Sequence, residues 1–274
     1  MKKTLVCIAL MACALAAMPA SAGSVTYEDP GGDDFGPGTY TYPTDAAYLR
    51  GSFDIKRLEI KNKGSKIEFK LTLAQRIEDP WNSLGWPEKG NGFSIQMAQI
   101  YVDTTPEKGH AETLPGINAV FGKKDAWDKV ILISPQAASR IRREVKDKAP
   151  SMAADVVVPT KVRVRGKTLI ATVKKRDLGG SFNPAWGLQA LMQSNEGFPA
   201  KGHLLSRRVN EYRGQHRFGG GSDYDCDPHV LDILALDAKG AKAEVEAQKK
   251  SLSYTCGTEG KLVKSATLPM IRRP

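Results

Sequence analysis

The chain has 274 residues, of which 41% are hydrophobic and 26% charged, and its formal net charge is +10. That length suffices for one large domain or two small ones, and beyond the N-terminal segment no stretch is apolar for long enough to cross a membrane. The positive excess favours anionic surfaces such as lipopolysaccharide, acidic glycans or nucleic acid, but the basic residues are spread out and no nucleic-acid-binding motif accompanies them, so nucleic acid is not expected as a partner.

The chain opens with Lys2 and Lys3, an apolar run from Leu5 to Ala17 and the small residues Ala20-Ser21-Ala22. This is the order of a secretion signal. A signal over residues 1–22 makes the mature protein periplasmic or extracellular, with residues 23–274 as one domain. Leu10-Met11-Ala12-Cys13 also resembles a lipobox, which would tether the protein through Cys13.

From Gly23 to Gly51 the chain is rich in Gly, Pro, Asp and Tyr without helical period, and reads as a structured loop with turns. Its core, Asp29-Pro30-Gly31-Gly32-Asp33-Asp34-Phe35-Gly36, concentrates carboxylates where the backbone can turn sharply. Calcium needs six to eight oxygens at once, so Asp29, Asp33 and Asp34 are candidate ligands. Aspartates also cap turns through their own backbone, and the composition leaves both roles open.

Alternation of apolar and polar residues then predicts strands over 53–58, 66–73, 94–103, 129–133, 161–164, 168–173 and 188–194. Gly64-Ser65 and Arg165-Gly166-Lys167 have the length and composition of hairpin turns. Two segments look helical, 135–148 with a basic outer face and 239–251 rich in Ala, Glu, Gln and Lys. Many strands and few helices point to a β-sandwich.

Trp81, Trp86 and Trp127 lie at strand ends or in loops, where an indole face can stack on a sugar ring or close the end of a sandwich. The run Gly219 to Asp227 places Asp223, Asp225 and Asp227 at alternate positions, as many calcium loops begin, but lacks the glycine and distal glutamate of an EF-hand. With Cys7 and Cys13 in the signal, Cys226 and Cys256 are left as an even pair, expected to form a disulfide in an oxidising compartment. The four histidines are scattered, and no nucleophile elbow or zinc-binding spacing is present, so no enzymatic activity is expected.

These segments resemble the C-terminal domain of glucodextranase, a module attached to amylolytic enzymes. The likeness rests on Asp29-Pro30 through Gly38, Thr39 through Asp45, Phe53-Asp54-Ile55, Asp79-Pro80-Trp81-Asn82, Gly92 through Gln96, Ile100 through Asp103, Leu114 through Asn118, Phe218 through Gly221 and Asp227 through Leu234. The resemblance implies an all-β, immunoglobulin-like or DOMON-like sandwich with one or two short helices and no catalytic activity. It also implies a structural calcium near the first strand. Its expected ligand is a glycan or another cell-envelope component, with a secreted amylolytic enzyme as a possible partner. Two alternatives stay open: a periplasmic haem-binding electron-transfer subunit, with Met97 or a histidine on the iron, and a purely structural envelope protein held by calcium. The segment Leu84 to Asn91 is an insertion relative to the family pattern.

Overall fold

The computed structural model describes residues 24–235 and 240–273; the signal-like segment and Cys13 lie outside them. In chain order the strands are β1 (Ser24–Glu28), β2 (Ile55–Lys63), β3 (Lys66–Leu73), β4 (Gln96–Asp103), β5 (Ala119–Phe121), β6 (Lys129–Ile133), β7 (Val156–Val157), β8 (Lys161–Arg165), β9 (Thr168–Lys174), β10 (Gly187–Ser194), β11 (Asp232–Ile233), β12 (Thr255–Cys256), β13 (Leu262–Lys264) and β14 (Ala266–Leu268). Helix α1 (Ala138–Lys148) follows β6, and α2 (Ala241–Ser251) follows β11. The architecture is the all-β sandwich expected, and none of the described helices is long and apolar enough to cross a membrane.

The first sheet runs β1-β2-β3-β9-β8, antiparallel throughout. Its strands alternate: Leu58, Ile60, Ile67, Phe69, Leu71, Leu169, Ala171 and Val173 face inward, and charged residues or threonines, with Ile170 as an exception, face outward. The hairpins turn on Gly64 and Gly166, both at positive φ, so that Lys63 pairs with Lys66 and Arg165 with Thr168. A glycine first in a two-residue loop supplies the left-handed backbone that matches the twist of the strands.

The second sheet runs β11-β10-β4-β6-β7 and has a different logic. Every residue of β4 and β10 is buried, because both faces are covered. Ala98, Ile100, Val102, Ala190 and Met192 pack against the first sheet. Met97, Tyr101, Val130, Leu132 and Leu191 join a second apolar cluster with Ile141 and Val145 of α1 and with Ala266 and Leu268 of β14. Buried glutamines bond within the layers: Gln99 donates to Gln193 at 3.3 Å, and Gln189 donates to the carbonyls of Leu234 and Pro269.

Two expectations shift. The span 23–51 holds strand β1, whose Tyr27 faces the core and is fully buried, before the irregular Gly/Pro/Asp stretch begins. The first helix starts at Ala138 rather than at residue 135, because Asn91 Nδ2 donates to the carbonyls of Ser134 and Gln136 and holds that stretch outside the helix.

Candidate functional site

Where β6 and β10 end and β4 begins, the loops enclose a cavity of about 500 Å³. Trp81 and Trp86 form one side, with Trp86 Nε1 donating to the Trp81 carbonyl at 3.0 Å. His216 stands edge-on to Trp81 at 5.5 Å between ring centroids, and the Arg207 guanidinium lies 5.5 Å over the same indole. Phe198 adds a ring that is 93% exposed. Gln136, Arg140, Asn195 and Glu196 supply polar groups around these apolar faces.

The inserted segment builds one wall. Asp79 accepts the Ser83 amide at 2.9 Å and fixes the turn at Ser83–Gly85, and Glu88 is clipped to α1 by Arg143 and Ser139, both at 2.6 Å. The cavity's charges are internally matched: Glu196 takes Arg207 at 3.2 Å and Arg217 at 3.5 Å, and Arg140 lies 3.7 Å from Glu144.

A second constellation lies beneath the Gly/Pro/Asp loop. Asp29 and Asp33 meet Asp54 at the start of β2, Asp232 of β11 and Glu244 of α2, and all five are buried. Ligand oxygens of Asp29, Asp33 and Glu244 lie within 4.8 Å of one another, as do those of Asp33, Asp54 and Asp232. Three oxygens are taken by amides: Asp29 by Gly31, Asp54 by Gly32 and Asp232 by Ile55. Seven have no protein partner: one each on Asp29, Asp54 and Asp232 and both on Asp33 and Glu244. Gly31 and Gly32 sit at positive φ, and a Cβ at Gly31 would collide with Asp54 and Lys56, so the loop can close only on glycine.

Burial outweighs the neighbouring cation Lys56, so without a metal this arrangement favours protons. Burial, then the neighbouring Asp33, pushes Asp29 up to about 8; burial pushes Asp54 up to about 6; burial and Asp33 push Glu244 up to about 10. Asp232 is raised well above the carboxylate range by burial and by Asp33 and Asp29.

A family model described as the C-terminal, SLH-like binding module of glucodextranase matches residues 25–269. The chain belongs to this family. No curated protein matches it. The glucodextranase family model describes a binding module rather than a catalytic domain, and its span contains both constellations, from Asp29 to Glu244.

In this glucodextranase-type module the residues singled out from sequence separate. Trp81 and Trp86 line the cavity, but Trp127 is fully buried beside Tyr101, with Nε1 donating to the Glu112 carbonyl at 2.9 Å, so it offers no face to a ligand. Asp29 and Asp33 come together, whereas Asp34 accepts from the Tyr42 hydroxyl and, at 3.1 Å, from the Gly51 amide. Asp54, Asp232 and Glu244 join the cluster instead. The first two stand in the family-like blocks, and nothing local marks their shared destination.

Asp223, Asp225 and Asp227 diverge. Asp223 accepts the Glu211 amide at 3.0 Å, and Asp227 accepts the Ser222 amide at 3.1 Å and the Tyr40 hydroxyl at 3.3 Å. Asp225 sits between His203 (2.8 Å), His229 (2.6 Å) and Arg208 (3.2 Å). Ligand atoms of His203, Asp225 and His229 lie within 4.8 Å of one another, and His229 Nδ1 lies 3.2 Å from the Val209 amide and 3.6 Å from Asp227. The expected disulfide joins Cys226 to Cys256 and ties this loop to β12. Met97, the strand methionine of the haem alternative, is fully buried in the second apolar cluster.

Proposed function

We propose that this chain is an exported, non-catalytic module that binds a neutral glycan in the cavity of Trp81, Trp86 and Phe198, with calcium held at the five-carboxylate cluster. The observation that carries the reading is the cavity. Its volume suits a small ligand, its rings present flat apolar faces to sugar C–H groups, and Gln136, Asn195, Arg140 and Glu196, bonded among themselves and to their neighbours, border those faces. Matched charges around it favour an uncharged sugar over an acidic one.

The cluster fits calcium by its chemistry. It offers only hard oxygen donors, and seven buried oxygens without a partner match the coordination number of that ion. Binding would offset two negative charges and draw the carboxylates toward their ionised form.

A glycan array followed by tryptophan-fluorescence titration tests the first part. Trp86→Ala should weaken binding about tenfold or more, corresponding to about 1.4 kcal/mol; no glycan ligand, or an unchanged variant, refutes it. Calorimetry with and without chelator tests the second. Calcium at a hundredfold excess over its Kd adds about 2.7 kcal/mol to a protein that binds it only when folded, so an unchanged Tm after chelation rejects the metal.

A further inference from the structure

The outer face of the first sheet carries an excess of positive charge. Pairing registers place Arg57, Lys61, Lys63, Lys66, Lys70, Lys161, Arg163, Arg165 and Lys174 on this face against the carboxylates Glu28, Glu59 and Glu68. Nine cations against three anions give a net +6, more than half of the chain's +10. Threonines 26, 72, 168 and 172 occupy most of the remaining outward positions, and the apolar exception, Ile170, is 6% exposed.

The cations are not evenly scattered. Lys63 pairs with Lys66, and Lys66 with Lys174, across three adjacent strands. Lys161, opposite Thr172, is the diagonal neighbour of Lys174 and begins the edge strand, along which Arg163 and Arg165 follow on the same face. Neighbouring strands are about 4.8 Å apart and same-face residues on a strand about 6.8 Å apart, with diagonal neighbours at about 7–8 Å. The six side chains therefore form a continuous track about 30 Å long that turns one corner. Glu68 is the acid beside it; it is almost buried and already bonded to Lys63 at 2.7 Å and Arg163 at 3.0 Å. Lys66, Lys161, Arg165 and Lys174 have no carboxylate partner among the described residues.

We infer that this track is a second docking surface, for a linear acidic polysaccharide carrying a carboxylate on each sugar. A track one cation wide matches a chain rather than a plane. The face has no aromatic or exposed apolar side chain to enter a bilayer, and no ring on which nucleobases could stack. Closely spaced carboxylates on one polymer replace small counterions along the track, so affinity falls steeply with salt. The threonine hydroxyls beside the lysines add donors for sugar oxygens.

The test uses the whole chain with polygalacturonate as probe, by titration calorimetry at low and then rising salt. The wild type should bind at low salt and lose affinity as salt rises. The quadruple variant Lys66→Gln, Lys161→Gln, Arg165→Gln, Lys174→Gln should bind at least about tenfold more weakly with a shallower salt dependence, since four ion contacts are gone. These side chains are exposed or half-buried, and an unchanged Tm verifies that the variant folds. Trp86→Ala should bind polygalacturonate as the wild type does, which separates this surface from the cavity. The inference is overturned by no binding at low salt, by a quadruple variant that binds like the wild type, or by equal affinity for anionic vesicles or single-stranded DNA.

Discussion

Asp232 illustrates how one residue can be costly alone and valuable in company. It is fully buried, one oxygen satisfied by the Ile55 amide and the other facing Asp33 and Asp54. Removing its charge should therefore act in opposite directions under two conditions. With calcium, Asp232→Asn should lower the Tm gain on metal addition by removing a ligand; under chelator the same variant should match or exceed the wild type, because an amide spares the cost of protonating a buried carboxylate on folding. A variant equally destabilised in both conditions would mean that Asp232 serves packing alone. His229 gives a pH signature. Burial lowers its pKa, but Asp225 and Asp227 outweigh burial and raise it; burial raises Asp225, but hydrogen bonds from His203 and His229 outweigh that and hold it low. His203, Arg208 and Asn118 also face this group. A raised histidine contributes stability that is full below its unfolded value of 6.5 and lost as pH rises through the folded value. Asp225's contribution is present above 3.8 and lost as pH falls through its depressed value. The Tm difference between wild type and His229→Gln should thus shrink as pH rises from about 6 to about 9; a constant difference excludes the charge interaction.

At the scale of elements, the disulfide ties the irregular loop around Cys226 to the short strand β12. Cys226 follows Asp225, a non-glycine residue at positive φ, and Cys256 lies in the two-residue strand β12. Breaking a bridge across 30 residues, as in Cys226→Ser with Cys256→Ser, should cost about 3 kcal/mol in chemical denaturation; a loss under about 0.5 kcal/mol would show that the loop is held by its hydrogen bonds instead. The long strands were legible in sequence because each has one apolar face or is mostly apolar; 66–73 and 129–133 match β3 and β6 residue for residue. The short strands were not legible, since two or three residues carry no period. Strand β1 was obscured by the glycines and aspartates that follow it. Trp81 and Trp86 could be singled out but not distinguished from Trp127, because flanking residues do not reveal whether an indole meets solvent. Asp29 and Asp33 announced themselves through their glycines, whereas Glu244 sits on a helix of ordinary composition more than two hundred residues away.

The molecule as a whole is lopsided. One sheet is covered on both faces and the other on one, so the same kind of substitution has different weight on each side. Phe69→Ala, between the sheets, should cost about 3–5 kcal/mol, while Lys61→Ala on the open face should stay within about 0.5 kcal/mol; urea denaturation of both distinguishes the layers, and comparable losses would mean that the open face is covered in solution. This asymmetry leaves the cavity at the end of the covered sheet and the basic track across the exposed one, so the two can be altered independently. The carboxylate cluster belongs to neither. Its oxygens come from residues 29, 33, 54, 232 and 244, almost the full span of the described chain. A growing polypeptide that has not yet delivered Glu244 holds an incomplete set, in which like charges keep the early segments apart. Calcium held there as proposed would work as a completion check, gripping finished chains and passing over partial ones, and a fragment ending before α2 should remain open to proteases even when calcium is abundant.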